Sequence, residues 1–265
     1  MRLSLPAAVV FACGLSVAHA DPVRLSHSLE PDLIQRDAGV SCASTSGPLT
    51  TFDNQFWREF ELAFFGISGE LRVTAVEIGI DRLELPAGLQ LPIDVLLYQA
   101  PGGAAPRSGF PVVGTARLNV ASASLEVVTV DIDAVVDAGS TLIVEYRVPD
   151  FDAVGLLGSV FFPGANTLGE TAPSYLSASR CDTPEPVTFA SIGFPDSALV
   201  INVLGDVDGA CVADLDGDGE LTLFDFLTFQ NLFDAGDPAA DFDGDGSLTL
   251  FDFLSFQNSF DAGCP

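Results

Sequence analysis

The sequence contains no lysine, and its ten basic residues, all arginine, face thirty-seven acidic ones. The formal charge is −27 at pH 7. That balance excludes a nucleic-acid binder, because phosphate recognition needs a basic surface. It also argues against docking on anionic membranes. It suits solubility outside the cell, or cation binding. Histidine is nearly absent, with only His19 and His27 in the chain. A Ser-His-Asp arrangement and a histidine zinc site are therefore disfavoured. Long apolar runs are missing beyond residue 20, since Asp, Glu, Arg, Gly or Pro interrupts each one, so no later segment is a spanning candidate.

The first twenty residues have a different character. Arg2 gives a positive start, "LPAAVVFACGLSV" a short apolar core, and "AHA" ends on small residues. This pattern predicts a secretory signal peptide over residues 1–20, cut between Ala20 and Asp21. The apolar run is too short to span a bilayer comfortably.

Beyond it, composition divides the chain. From Asp206 to Pro265 there are fourteen acidic residues and no Lys, Arg or His. The expected organisation is a β domain over 21–204, a linker over 205–210 around "GDVDGA", and a small module over 211–265. Within the β domain, nine short runs rich in Val, Ile, Leu and Phe, from "FWREFELAFF" to "ALVINVL", are separated by turn signals such as "PAG", "PGG" and "DAGS". Spacing of this kind predicts an antiparallel β-sandwich, with a jelly roll favoured, while strand order stays open. Residues 21–40 read as an extended arm or edge strand. The expected class is mainly β, followed by a small α-helical module.

The module is a duplication. Residues 214–236 and 241–263 agree at nineteen of twenty-three positions, which points to one repeated unit. Each opens with carboxylates at loop positions one, three and five: Asp214, Asp216 and Asp218, then Asp241, Asp243 and Asp245. Glycine stands at six (Gly219, Gly246) and a carboxylate closes at twelve (Asp225, Asp252). This is EF-hand loop spacing. Ca²⁺ takes six to eight oxygens, and alternate residues of a tight loop turn them inward. Position seven (Glu220, Ser247) is expected to offer its carbonyl, and position nine (Thr222, Thr249) to act directly or through water. Two Ca²⁺ are expected. Asp in place of Glu at twelve has a shorter reach and bears on selectivity against Mg²⁺. One helix should follow each loop, "LFDFLTFQNLFDAG" and "LFDFLSFQNSFDAG", stopped by Gly236 and Gly263. "VDGACVA" has neither the length nor the period for a helix before the first loop.

Paired loops of this form, each with only its trailing helix and ending in Asp, resemble a type I dockerin module over Cys211–Pro265. The ending "DAGCP" resembles a variant closed by Gly-Cys in bacterial exported proteins. The resemblance implies binding to a cohesin domain of another protein, or to an extracellular scaffold. Its contact positions correspond here to Leu223, Phe224, Gln230 and Asn231, with twins Leu250, Phe251, Gln257 and Asn258. The hydroxyl and basic residues common there in cellulosomal dockerins are absent, which argues against a cellulosome cohesin. The helices also carry more apolar residues than one buried stripe needs. Four cysteines remain after the leader, and three pairings are possible. Cys42–Cys181 and Cys211–Cys264 are expected, since the alternatives would lock the two modules together. Two-fold packing of the repeats would also bring Cys211 close to Cys264.

The β domain itself carries no motif. A glycoside hydrolase would need paired carboxylates. Asp53, Glu59, Glu61, Glu77, Asp81 and Asp94 qualify by type alone, and residues of this kind are usually solvated. A carbohydrate-binding module would need exposed aromatic rings from Trp57, Tyr98, Tyr146 and Tyr175. Trp57 is the best candidate, although a lone Trp on a strand is more often core. A non-catalytic surface module anchored by its C-terminal end is the preferred expectation, with polysaccharide as the alternative ligand.

Overall fold

A computed structural model describes residues 21–44, 46–208, 213–216, 220–243 and 246–262. Thirteen strands lie among them: β1 (Asp21–Ser26), β2 (Asn54–Glu61), β3 (Glu70–Glu84), β4 (Leu91–Pro101), β5 (Val112–Val120), β6 (Ala123–Val136), β7 (Ser140–Val148), β8 (Val160–Pro163), β9 (Ala165–Asn166), β10 (Tyr175–Ala178), β11 (Thr183–Thr188), β12 (Ala198–Leu199) and β13 (Ile201–Asp208). Two helices follow, α1 (Leu223–Ala235) and α2 (Leu250–Ala262). The protein is mainly β with antiparallel sheets and two C-terminal helices. No helix among the described residues is long and apolar enough to cross a membrane.

One sheet runs β1-β13-β3-β6, with β8 also on β3; the other runs β11-β10-β2-β7-β4-β5; β9 and β12 form a short pair. The alternation read from the sequence explains how they meet. On β6, Val130, Ile132, Ala134 and Val136 are buried while Thr129, Asp131 and Asp133 are exposed. Phe56 and Phe60 of β2, Val76 and Ile78 of β3, Leu97 of β4 and Tyr146 of β7 belong to one apolar core shared by both sheets.

Several sequence expectations need correction. Gly205–Asp208 are not linker but the last half of β13. A bulge at Leu204–Gly205 shifts the register against β3, and Val207 is buried. One of the nine apolar runs, "VTFASIGF", is expected as a strand throughout but its strand ends at Thr188, because Phe189 turns into the core and a 3-10 turn follows over Ala190–Ile192. "FWREFELAFF" likewise breaks after Glu61 into a 3-10 turn. The edge-strand reading of the N-terminal segment holds for β1, which pairs along its length with β13.

Cys42 and Cys181 form a disulfide with Cα atoms 6.0 Å apart. Cys211 and Cys264 lie outside the described residues. A second tie is Arg58 of β2, fully buried, which donates to Glu170 Oε2 at 2.8 Å, Ser174 Oγ at 2.6 Å, and the carbonyls of Leu199 at 2.9 Å and Ala172 at 3.1 Å. Desolvating a guanidinium costs several kcal/mol, roughly, and these acceptors are what offset it.

The helical module has its own core. Thr222 caps α1, its Oγ1 accepting from Phe224 N, and Asp225 completes the capping box. Gly236 ends α1 in the left-handed region at φ 71°, which its lack of a Cβ permits. Phe229 and Phe256, twins in the repeat, stack with centroids 4.4 Å apart and planes 8° from parallel. Leu221 and Leu248, both at loop position eight, pack in the same cluster.

Candidate metal centre

Each acidic loop folds back onto the first turn of its helix. Asp225 is fully buried; its Oδ1 accepts from Leu215 N at 2.8 Å and Asp216 N at 3.1 Å, and its Oδ2 from Thr222 N at 2.8 Å. Asp252, also fully buried, repeats this, accepting from Asp243 N at 3.2 Å and Thr249 N at 2.6 Å. Position twelve is thereby fixed against the backbone of positions three and nine in both loops. Asp214, Asp216 and Asp225 each bring a carboxylate oxygen within 4.8 Å of the others, and so do Asp241, Asp243 and Asp252. Each group can hold a metal ion.

Local backbone demands account for the shape. Gly246, at position six, has φ +81° and donates to Asp241 Oδ2 at 2.8 Å, which closes the turn around the carboxylates. Thr222 and Thr249 use Oγ1 to cap the helices, accepting from Phe224 N and Phe251 N at 3.1 Å. Glu220 and Ser247 are exposed at position seven. Asp218, Gly219 and Asp245 lie outside the described residues.

Charge tests the fit. Burial acts to raise the Asp225 carboxyl, but the backbone donors of Thr222, Asp216 and Leu215 outweigh it and hold the group below the usual carboxylate range. The Thr249 N–H is the main influence on Asp252 and lowers it in the same way. Both are therefore anionic at neutral pH. Asp241 Oδ1 is buried with no hydrogen-bond partner among the described residues, an acceptor that a cation could satisfy. An all-oxygen, all-anionic donor set suits a hard divalent cation.

The sequence-derived contact positions stand at the surface in matched pairs. Leu223 and Leu250 are each 68% exposed, Phe224 and Phe251 each 66%. Gln230, Asn231, Gln257 and Asn258 are exposed too. Leu227 and Leu254, part of the apolar surplus on the helices, are exposed as well.

In the β domain the six candidate carboxylates mostly separate. Glu77 is bound by Arg24, Asp94 by Arg117, Asp53 by the Ser179 N–H, and Asp81 is buried against the Asp37 N–H. Only Glu59 and Glu61 come together, lining one cavity with His27. No exposed aromatic row forms from Trp57, Tyr98, Tyr146 and Tyr175, all of which are buried. Trp57 Nε1 donates to Ser177 Oγ at 2.9 Å, as a core residue does.

His27 lies in the segment that the sequence reads as an arm or edge strand. It is packed against the rings of Phe60, Phe64 and Phe65, at 5.3, 5.2 and 4.9 Å. Burial pushes its imidazole down to about 4, helped by the Arg58 charge and opposed by the Glu59 backbone. It should titrate near pH 4 in a histidine-selective NMR titration; an inflection at the ordinary imidazole value of about 6.5 would place the ring in water. Because the folded value is the lower one, the unfolded chain takes up the proton first. Stability is complete above about 6.5 and declines as pH falls towards about 4.

No family model matches the chain, and none of the curated proteins compared with it matches. Among solved structures, it is similar at TM-score 0.36 and 8% identity to the cysteine protease and lectin-like domains of Cwp84, a surface layer associated protein of Clostridium difficile. The likeness covers 60% of this chain, which spans 33% of that one.

Proposed function

We propose that this is an exported, non-catalytic protein whose C-terminal dockerin-like module binds two Ca²⁺ and anchors a jelly-roll-like β-sandwich to a cohesin-type partner in an extracellular assembly. The observation that carries this reading is the twinned site. Two groups of three aspartates converge at equivalent loop positions, and each stands beside an equivalent exposed Leu-Phe pair. Ordinary acidic turns have no reason to repeat both features in register. A monomeric helix pair also has no reason to leave Leu223, Phe224 and Leu227 in water on one helix and their twins on the other.

Two equivalent patches allow a partner to dock on either after a half-turn. Changing Phe224 or Phe251 alone to Asp should leave calcium-dependent capture of a cohesin-type domain within about twofold, since the remaining patch still serves and only the statistical factor is lost. Changing both should abolish capture. Surface plasmon resonance with the intact chain, with and without chelator, reads this directly. Capture that survives the double change, or that ignores calcium, would refute the anchoring role.

A further inference from the structure

The two helices leave an open groove between them. It has a volume of about 430 Å³ and is lined by Phe229, Gln230, Phe233 and Asp234 of α1 with Leu250 and Phe253 of α2. Its rings are contiguous: Phe229 lies 5.7 Å from Phe233 and 6.1 Å from Phe253. Phe229 is buried, Phe233 and Phe253 are half-buried, and Leu250 stands exposed beside them. The groove is therefore largely apolar, reachable from outside, and large enough to receive a whole apolar side chain.

Its charge has one sign. Asp234 is exposed in the last turn of α1, where a carboxylate faces the negative end of the helix dipole and works against the helix. Asp261 has the same place in α2. Neither residue therefore serves helix stability. No side chain of the module can neutralise them, since residues 206–265 hold fourteen acids and no base. Two bound divalent ions would still leave about ten negative charges there. The β domain offers little relief, because Arg24, Arg58, Arg72, Arg117, Arg147 and Arg180 each pair with one of its own carboxylates. The like face of a second copy would meet this one with the same charge, which disfavours it as the occupant.

We propose that this groove takes a large apolar side chain of the anchoring partner, with a lysine or arginine of that partner set beside it against Asp234. The partner's surface is thus basic where the module is acidic. This rests on the anchoring role proposed above and adds the chemistry of contact that it leaves open. The incoming apolar side chain covers ring surface that water now touches. The base beside it gains a carboxylate and the field of the whole module, and a cation next to aromatic rings is attracted by their faces as well. An equally apolar partner with an acidic rim would be repelled, so charge selects among surfaces that the groove alone would accept.

The intact, calcium-loaded chain is titrated with three blocked dipeptides and followed by NMR at the Gln230 side-chain amide and the Phe233 and Phe253 rings. Acetyl-Phe-Arg-amide should shift these signals saturably. Acetyl-Phe-Glu-amide and acetyl-Gly-Arg-amide should each bind about fivefold more weakly or worse. Asp234→Asn should cut the preference for the arginyl over the glutamyl peptide by about threefold. That variant relieves the end of α1 rather than straining it, so it should fold. The proposal is overturned if the glutamyl peptide binds as well as the arginyl one, if Asp234→Asn leaves the preference unchanged, or if no peptide moves the signals. It is overturned too if sedimentation shows self-association that Phe251→Asp dissolves, which makes a second copy the occupant. Capture of a cohesin-type domain reads the anchoring role separately. Lost capture with the peptide preference intact refutes that role and upholds the chemistry of the groove, while capture without any preference refutes the basic partner alone.

Discussion

Adding excess EDTA to the calcium-loaded chain should unfold the two C-terminal helices and leave the β-sheets intact. On the proposed reading, the module has little besides bound cations to set against mutual repulsion. Among the described residues, its fully buried apolar side chains are Ala213, Phe229, Ala240 and Phe256, a small core to hold converging carboxylates together without a cation. At free calcium about a hundredfold above Kd, each site contributes about 2.7 kcal/mol, so two contribute about 5. For a unit this small, that moves the melting transition by about 20 °C or more. Calorimetry of the intact chain should resolve two transitions, with only the lower one moved by chelator. Asp214→Ala combined with Asp225→Ala should reduce calorimetric stoichiometry from two ions to one. A lower transition unmoved by chelator would show that the aspartate groups do not serve as metal sites.

Replacing Cys42 and Cys181 with Ala should cost the β domain about 5 kcal/mol at most, and the loss should fall on the upper transition alone. The bridge closes 139 residues, and on the chain-entropy account a loop of that length gives about 5 kcal/mol. The two ends are not equally dependent on it. Cys42 N donates to Asn54 Oδ1 at 2.7 Å, and Asn54 Nδ2 donates back to the Cys42 carbonyl at 3.0 Å. Its segment is therefore pinned without sulfur. Cys181 is exposed at the end of a 3-10 turn. Hydrogen exchange should quicken around Ser179–Cys181 in the variant and stay slow around Cys42. A loss below about 1 kcal/mol would mean that the unfolded chain is already held compact near these positions.

What was legible in the sequence is what is local. The aspartates converge because alternate residues of a short loop turn the same way, and no distant residue is needed to place them. The surplus of Leu and Phe on α1 and α2 likewise announced two faces, one packed around Phe229 and Phe256 and one left outside. The cavity was illegible for the opposite reason. His27 meets Thr171 across 144 residues, and nothing in either neighbourhood signals the other. Strands β9 and β12, two residues each, are too short to carry a period. The supposed linker failed because "GDVD" has the composition of a turn, while its conformation is imposed by β1 and β3 on either side.

That last arrangement has a mechanical consequence. β13 is the strand from which the chain leaves for the helical module, and it is central in its sheet rather than at an edge. It is laddered to β3 from Ile201 to Asp208 and to β1 from Asn202 to Val207. Tension applied along its axis would load both ladders in shear, with many hydrogen bonds sharing the force at once, rather than peeling them open in turn. A tether attached at this point would therefore fail elsewhere before it drew the strand out of the sheet.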